Sequence, residues 1–110
     1  MTEKGKKYLA DIVHSIELIR QFTESIDKYS DFTRDLKTQS AVERQLGIIG
    51  EAVNKFDQLH PEISLENAGK IVGLRNRIIH AYDSIDTSIV WVIIQKHLDP
   101  LYQDVKEILG

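Results

Sequence analysis

Apolar residues recur at steps of three and four along nearly the whole chain, and no stretch sustains the alternation of a strand. From about Lys6 to Lys28, the residues Tyr8, Ile12, Ile16, Ile19, Phe22 and Ile26 form one stripe, which predicts an amphipathic helix. Tyr29-Ser30-Asp31-Phe32-Thr33 breaks that stripe and reads as a connection, with Ser30, Asp31 and Thr33 available as caps. A second helix is predicted from Asp35 or Thr38 to Leu59, striped by Val42, Leu46, Ile49, Val53 and Phe56. Its steps alternate between four and three, the recurrence that suits near-antiparallel packing in a bundle. His60-Pro61 ends it, because a residue before proline is pushed out of the helical region. Ser64 then offers an N-cap for a short turn at Leu65–Ala68. A third helix is predicted over about Gly69 to Ala81. The fourth starts near Asp86 and carries Ile89, Val92, Ile93, Leu98, Leu101, Val105 and Ile108, with Pro100 expected to kink or restart it near Asp99.

Four or five helices joined by short links make an all-α, up-and-down bundle. The 110 residues suit a single domain spanning 1–110. The chain has no cysteine, which removes disulfides, Cys-based zinc sites, iron–sulfur clusters and a thiol nucleophile. No apolar run approaches the roughly 18–20 residues that span a bilayer, and Met1-Thr2-Glu3-Lys4-Gly5-Lys6-Lys7 does not lead into a signal sequence. The expectation is a cytoplasmic protein without membrane partners. A net charge of −3 counts against an extended nucleic-acid platform. Between Gly69 and Tyr82, however, Lys70, Arg75 and Arg77 stand without any Asp or Glu, so that +3 window is set against −6 for the rest of the chain.

His14, His60 and His97 each lack the converging companions a metal needs. His14 and Glu17 have helical spacing, but nothing completes the set, so neither metal nor cofactor is expected. His80 differs through its neighbours, Arg75-Asn76-Arg77-Ile78-Ile79-His80-Ala81-Tyr82. On a helix, Asn76 and Arg77 stack on the face of His80, and Gly73 lies two turns below it. Arg75 is about 140° round from His80 but nearly eclipsed with Tyr82, if the helix persists that far. On spacing alone, the arginines could simply pair with carboxylates of adjacent helices while His80 fills a rim. The same residues also make a chemical set: imidazole exchanges protons near neutrality, and guanidinium grips phosphate oxygens. A base and a phosphate clamp are what cleavage of RNA through its own 2′-OH requires. One His supplies half of an acid–base pair, and a two-fold dimer would supply the other half.

At these positions the sequence resembles the HepT-like branch of the HEPN superfamily, whose signature is Arg-x4-His-x-Tyr. Ala41-Val42-Glu43-Arg44 with Ile49-Gly50-Glu51-Ala52 is similar to the family's second helix, His60-Pro61-Glu62-Ile63 to its loop, and Ile85-Asp86 through Trp91 to the start of its last long helix. The resemblance implies a helical-bundle ribonuclease toxin that works without metal at the cleft of a homodimer or higher homo-oligomer. Arg75 and His80 carry over as the catalytic pair and Asn76 as the polar position after the arginine. Tyr82 carries over as the tyrosine that a cognate MntA-type minimal nucleotidyltransferase antitoxin modifies with AMP. An adenylate there would add charge and bulk beside the phosphate clamp. Lys70 and Arg77 are additional substrate-binding candidates inferred from charge.

Glu51 is read as an ion-pair partner of Arg75 or Arg77 rather than a cleft residue, since a carboxylate repels phosphate. Gly47 and Gly50 sacrifice roughly 1 kcal/mol of helix propensity each, which predicts a close approach within the bundle or across a dimer. The run Ile89-Val90-Trp91-Val92-Ile93-Ile94 is too wide for a single stripe and predicts burial on more than one side, favouring an oligomer or a deep core. Two other functions fit the same pattern: a non-catalytic substrate-binding or regulatory companion of a nucleotidyltransferase, and a structural dimerisation bundle.

Overall fold

The computed structural model describes residues 1–80 and 86–110, with only the backbone described at 78–80. Those residues form six helices: α1 (Glu3–Phe22), α2 (Tyr29–Arg34), α3 (Leu36–Leu59), α4 (Gly69–His80), α5 (Thr87–Lys96) and α6 (Leu98–Leu109). No strand occurs among the described residues. The count exceeds the four or five expected because α2 was read as a loop and the last helix is divided.

Thr2 caps α1 by accepting a hydrogen bond from the Gly5 N–H at 3.0 Å. The helix buries Leu9, Ile12, Ile16 and Ile19 completely. It stops at Phe22, short of the expected Lys28, where the Thr23 hydroxyl donates back to the Ile19 carbonyl at 2.8 Å. The segment taken for a connection is the short helix α2. Its Phe32 is wholly buried against the ring of Trp91 at 5.4 Å, and Gln39 donates to the Phe32 carbonyl at 2.7 Å. Tertiary packing orders a piece too short to be helical by itself. None of the three expected caps starts α3. Asp35 does, accepting from the Thr38 N–H and hydroxyl at 3.0 and 2.7 Å, and these bonds hold its carboxyl below the usual range.

α3 is the axis of the bundle. It lies between α1 and α4, α6 closes against α1, and α5 spans from α6 to α2. His60 ends α3 and is buried, with Nε2 3.0 Å from the Thr2 hydroxyl and Nδ1 3.0 Å from Glu62. Gly5 makes room for it, since a methyl at position 5 would lie 2.6 Å from Nε2. This histidine locks the ends of α1 and α3 together. Leu65–Ala68 forms the short turn expected there, the Ala68 N–H donating to the Leu65 carbonyl at 3.2 Å, and it sinks Leu65 and Ala68 into the core.

Asp86 caps α5 by accepting from the Ser88 N–H and hydroxyl. The break expected near Asp99 falls at His97, leaving Pro100 in the first turn of α6, where its missing N–H forfeits no helical bond. Val90 and Ile93 face the core, and Trp91 lies under Phe32 and Tyr29 of α2. Part of the wide apolar run is therefore covered by this chain's own α2. No helix among the described residues is long and apolar enough to cross a membrane.

Candidate functional site

Arg75 projects from α4 toward α3 and lies on the backbone at Gly50. A methyl at position 50 would come within 2.7 Å of Arg75 Cγ and nearer still to Cβ. Gly50 is thus the close approach that its helix-weakening residue type foretold, whereas a methyl at Gly47 would meet nothing within 4 Å in this chain. The guanidinium donates through Nη2 to Glu51 Oε2 and through Nη1 to Asn76 Oδ1 at 3.1 Å. Lys55 Nζ approaches the other oxygen of Glu51 at 3.7 Å. Arg75 Nε is buried and has no hydrogen-bond partner among the described residues.

Beside this anchored arginine runs a groove of about 590 Å³ between α1 and α3, open above Gly47 and edged by Lys7, Asp11, Glu43, Arg44 and Lys55. Lys7 and Asp11 pair at 3.1 Å. Partial burial raises the Glu43 carboxyl above its ordinary value.

The other side of α4 is different. Lys70 and Arg77 are exposed on the wall of a second groove, about 560 Å³, between α4 and α5. Leu74, Ile89, Val92 and Ile93 give it an apolar lining, Ser88 and His97 add polar groups, and no carboxylate among the described residues lines it. Arg77 also helps keep the Asp86 carboxyl low, after the two Ser88 hydrogen bonds that are the main cause.

The structure therefore brings Arg75 together with Asn76, and Lys70 together with Arg77, but sends the two pairs to different faces of α4. His80 is the last residue of that helix, and its side chain lies outside the described set, as does Tyr82. Glu51 is the ion-pair partner expected of it, and the choice falls on Arg75 rather than Arg77. His14 is exposed, and no cluster of three or more His, Asp or Glu capable of holding a metal occurs among the described residues. Sequence reading missed Ser88 and His97 as groove residues. The signal for His97 was available, since Ile89, Ile93 and His97 follow one another at steps of four.

The described residues thus form an all-α bundle in which an Arg-Asn pair on α4 is anchored against Gly50 and Glu51 of α3. The chain belongs to the HepT-like ribonuclease family: the model described as "Ribonuclease HepT-like" matches residues 12–108. Among curated proteins it is 41% identical to "Probable ribonuclease HepT" of Thermococcus cleftensis over 92% of each chain. It is 34% identical to a candidate RNase of Methanocaldococcus jannaschii, over 92% of this chain and 93% of that one. With a candidate RNase of Caldanaerobacter subterraneus the identity is 32%, over 94% and 93%. No solved structure gives a significant match.

Proposed function

We propose that this chain is an RNA endonuclease, the toxin of a toxin–antitoxin pair, acting without metal at a homodimer cleft. In the step assigned to it, His80 takes the proton of a ribose 2′-OH and O2′ attacks the adjacent phosphorus. The bond from phosphorus to O5′ breaks, and the leaving oxygen gains a proton from the second protomer's imidazole. Arg75 offers charge and directed N–H groups to the non-bridging oxygens as negative charge builds there. The products are a 2′,3′-cyclic phosphate and a 5′-hydroxyl. Lys70, Arg77 and Asn76 bind the flanking substrate, and a cognate minimal nucleotidyltransferase silences the enzyme by placing AMP on Tyr82.

The observation that supports this reading best is Arg75 itself, in a chain of a ribonuclease family. Its guanidinium is set between Glu51 and Asn76, with its stem laid on the α3 backbone at Gly50. The test is cleavage of RNA by the purified protein in excess EDTA. Activity should persist, and His80→Ala or Arg75→Ala should lower it by about a hundredfold or more while the helical signal stays. Reversible loss in EDTA contradicts the metal-free chemistry. Mass spectrometry after incubation with the partner nucleotidyltransferase and ATP should find adenylate on Tyr82, and adenylate found only elsewhere contradicts the switch.

A further inference from the structure

We propose that Glu51 is the positioning residue for Arg75, acting with Gly50 as a two-residue seat on α3 that fixes where the phosphate-binding guanidinium stands. The proposal rests on the reading of Arg75 as the phosphate clamp. An arginine side chain has four rotatable bonds before its guanidinium, and an exposed one samples many positions. Here the stem is pressed on the α3 backbone because Gly50 has no side chain to hold it away, and the far end is tied by the Glu51 carboxylate. Asn76, the next residue on α4, holds the other outer nitrogen at 3.1 Å. The side chain is thus held along its stem by Gly50, and at its two outer nitrogens by Glu51 of α3 and Asn76 of its own helix.

The ion pair fits this role better than a purely stabilising one. Glu51 is half-exposed and shared with Lys55, so its pairing is of the weakly stabilising surface kind. A carboxylate so near a phosphate clamp would weaken substrate binding through repulsion. Retaining it is useful where geometry matters more than raw attraction, because a misplacement of about 1 Å can reduce turnover by about a hundredfold. Glu51 should therefore act on turnover and little on ground-state binding.

The experiment compares wild type, Glu51→Gln, Gly50→Ala, Arg75→Ala and the Glu51→Gln/Arg75→Ala double variant on one defined RNA, with circular dichroism as a check on folding. Glu51→Gln keeps size and shape, and should lower kcat by about tenfold or more with KM changed by less than about threefold. Gly50→Ala leaves the carboxylate in place but dislodges the stem, and should lower kcat in the same manner. In the Arg75→Ala background, Glu51→Gln should have no further effect. A kcat for Glu51→Gln within about twofold of wild type, or a full additional loss on top of Arg75→Ala, overturns the proposal. Nitrogen-15 NMR of the arginine side chains separates this outcome from failure of the ribonuclease reading. Slow rotation of the Arg75 guanidinium in wild type and fast rotation in Glu51→Gln supports the seat even in a protein that cleaves no RNA. Equal rotation in both overturns it.

Discussion

On the side of α4 that meets α3, Arg75 is packed onto Gly50 and tied to Glu51, whereas toward α5 Lys70 and Arg77 stand exposed over an apolar groove. Both faces belong to one twelve-residue helix with no acidic residue in it. A cation held in place supplies direction, which matters where charge develops over a fraction of an ångström. Cations left in solvent supply attraction, which falls off with salt and tolerates imprecision. On the proposed reading, the charged window seen in the sequence is two devices, one for the reaction and one for its substrate.

The comparison breaks most sharply at Arg75. Arg75→Ala should lower the single-turnover rate on RNA by about 10²–10³, and Arg75→Lys should restore little, because an ammonium lacks the fork that spans Glu51, Asn76 and phosphate. A loss of only a few-fold would put Arg75 in the same class as the exposed cations. The wall of the second groove depends on α2: Phe32→Ala removes the buried ring behind Trp91 and should lower unfolding free energy by about 3–5 kcal/mol, read from urea titration. Smaller effects are expected from Lys70→Ala and Arg77→Ala. Each should weaken RNA binding several-fold and reduce the slope of log affinity against log salt by about one, with turnover of bound RNA little changed. A salt slope unaltered by both would remove the groove from the substrate path.

The smallest effects concern pH. Asp35 and Asp86 are held below their ordinary 3.8, so their caps stabilise the fold above that value and lose effect as pH falls through the lower folded one. Asp35→Asn and Asp86→Asn should then narrow their stability gap to wild type as the pH is taken below about 3.8. Glu43 has the opposite sign. Its carboxyl is raised by burial, so its charge opposes folding as pH rises through and beyond 4.5, and Glu43→Gln should gain on wild type only above that range. Thermal unfolding as a function of pH checks both signs.

Much of the bundle was legible because its stripes are long: Val42 to Phe56 and Ile12 to Ile19 are buried as their periodicity dictates. The α2 segment was not, since six residues carry too little pattern and Phe32 becomes helical only through contact with Trp91, far off in sequence. Thr23 ended α1 through a back-bond that periodicity does not register. At the site, Gly50 and Glu51 could be flagged from residue type, but the choice of Arg75 over Arg77 as the partner depends on how α3 and α4 are rotated against each other. The division of Arg75 from Lys70 and Arg77 has the same origin. Spacing gave their angles round α4, and only the neighbouring helices decide which angle is a seat and which a groove.

The most direct measurement is single-turnover cleavage of one RNA in EDTA by wild type and Arg75→Ala, with product ends read by mass spectrometry. Wild type should yield a 2′,3′-cyclic phosphate and a 5′-hydroxyl, an otherwise identical RNA with a 2′-deoxy nucleotide at the cut should stay intact, and the variant should cleave the all-ribose RNA about 10²–10³ times more slowly. Cleavage of the 2′-deoxy RNA, or a variant that matches wild type in rate, would contradict the account.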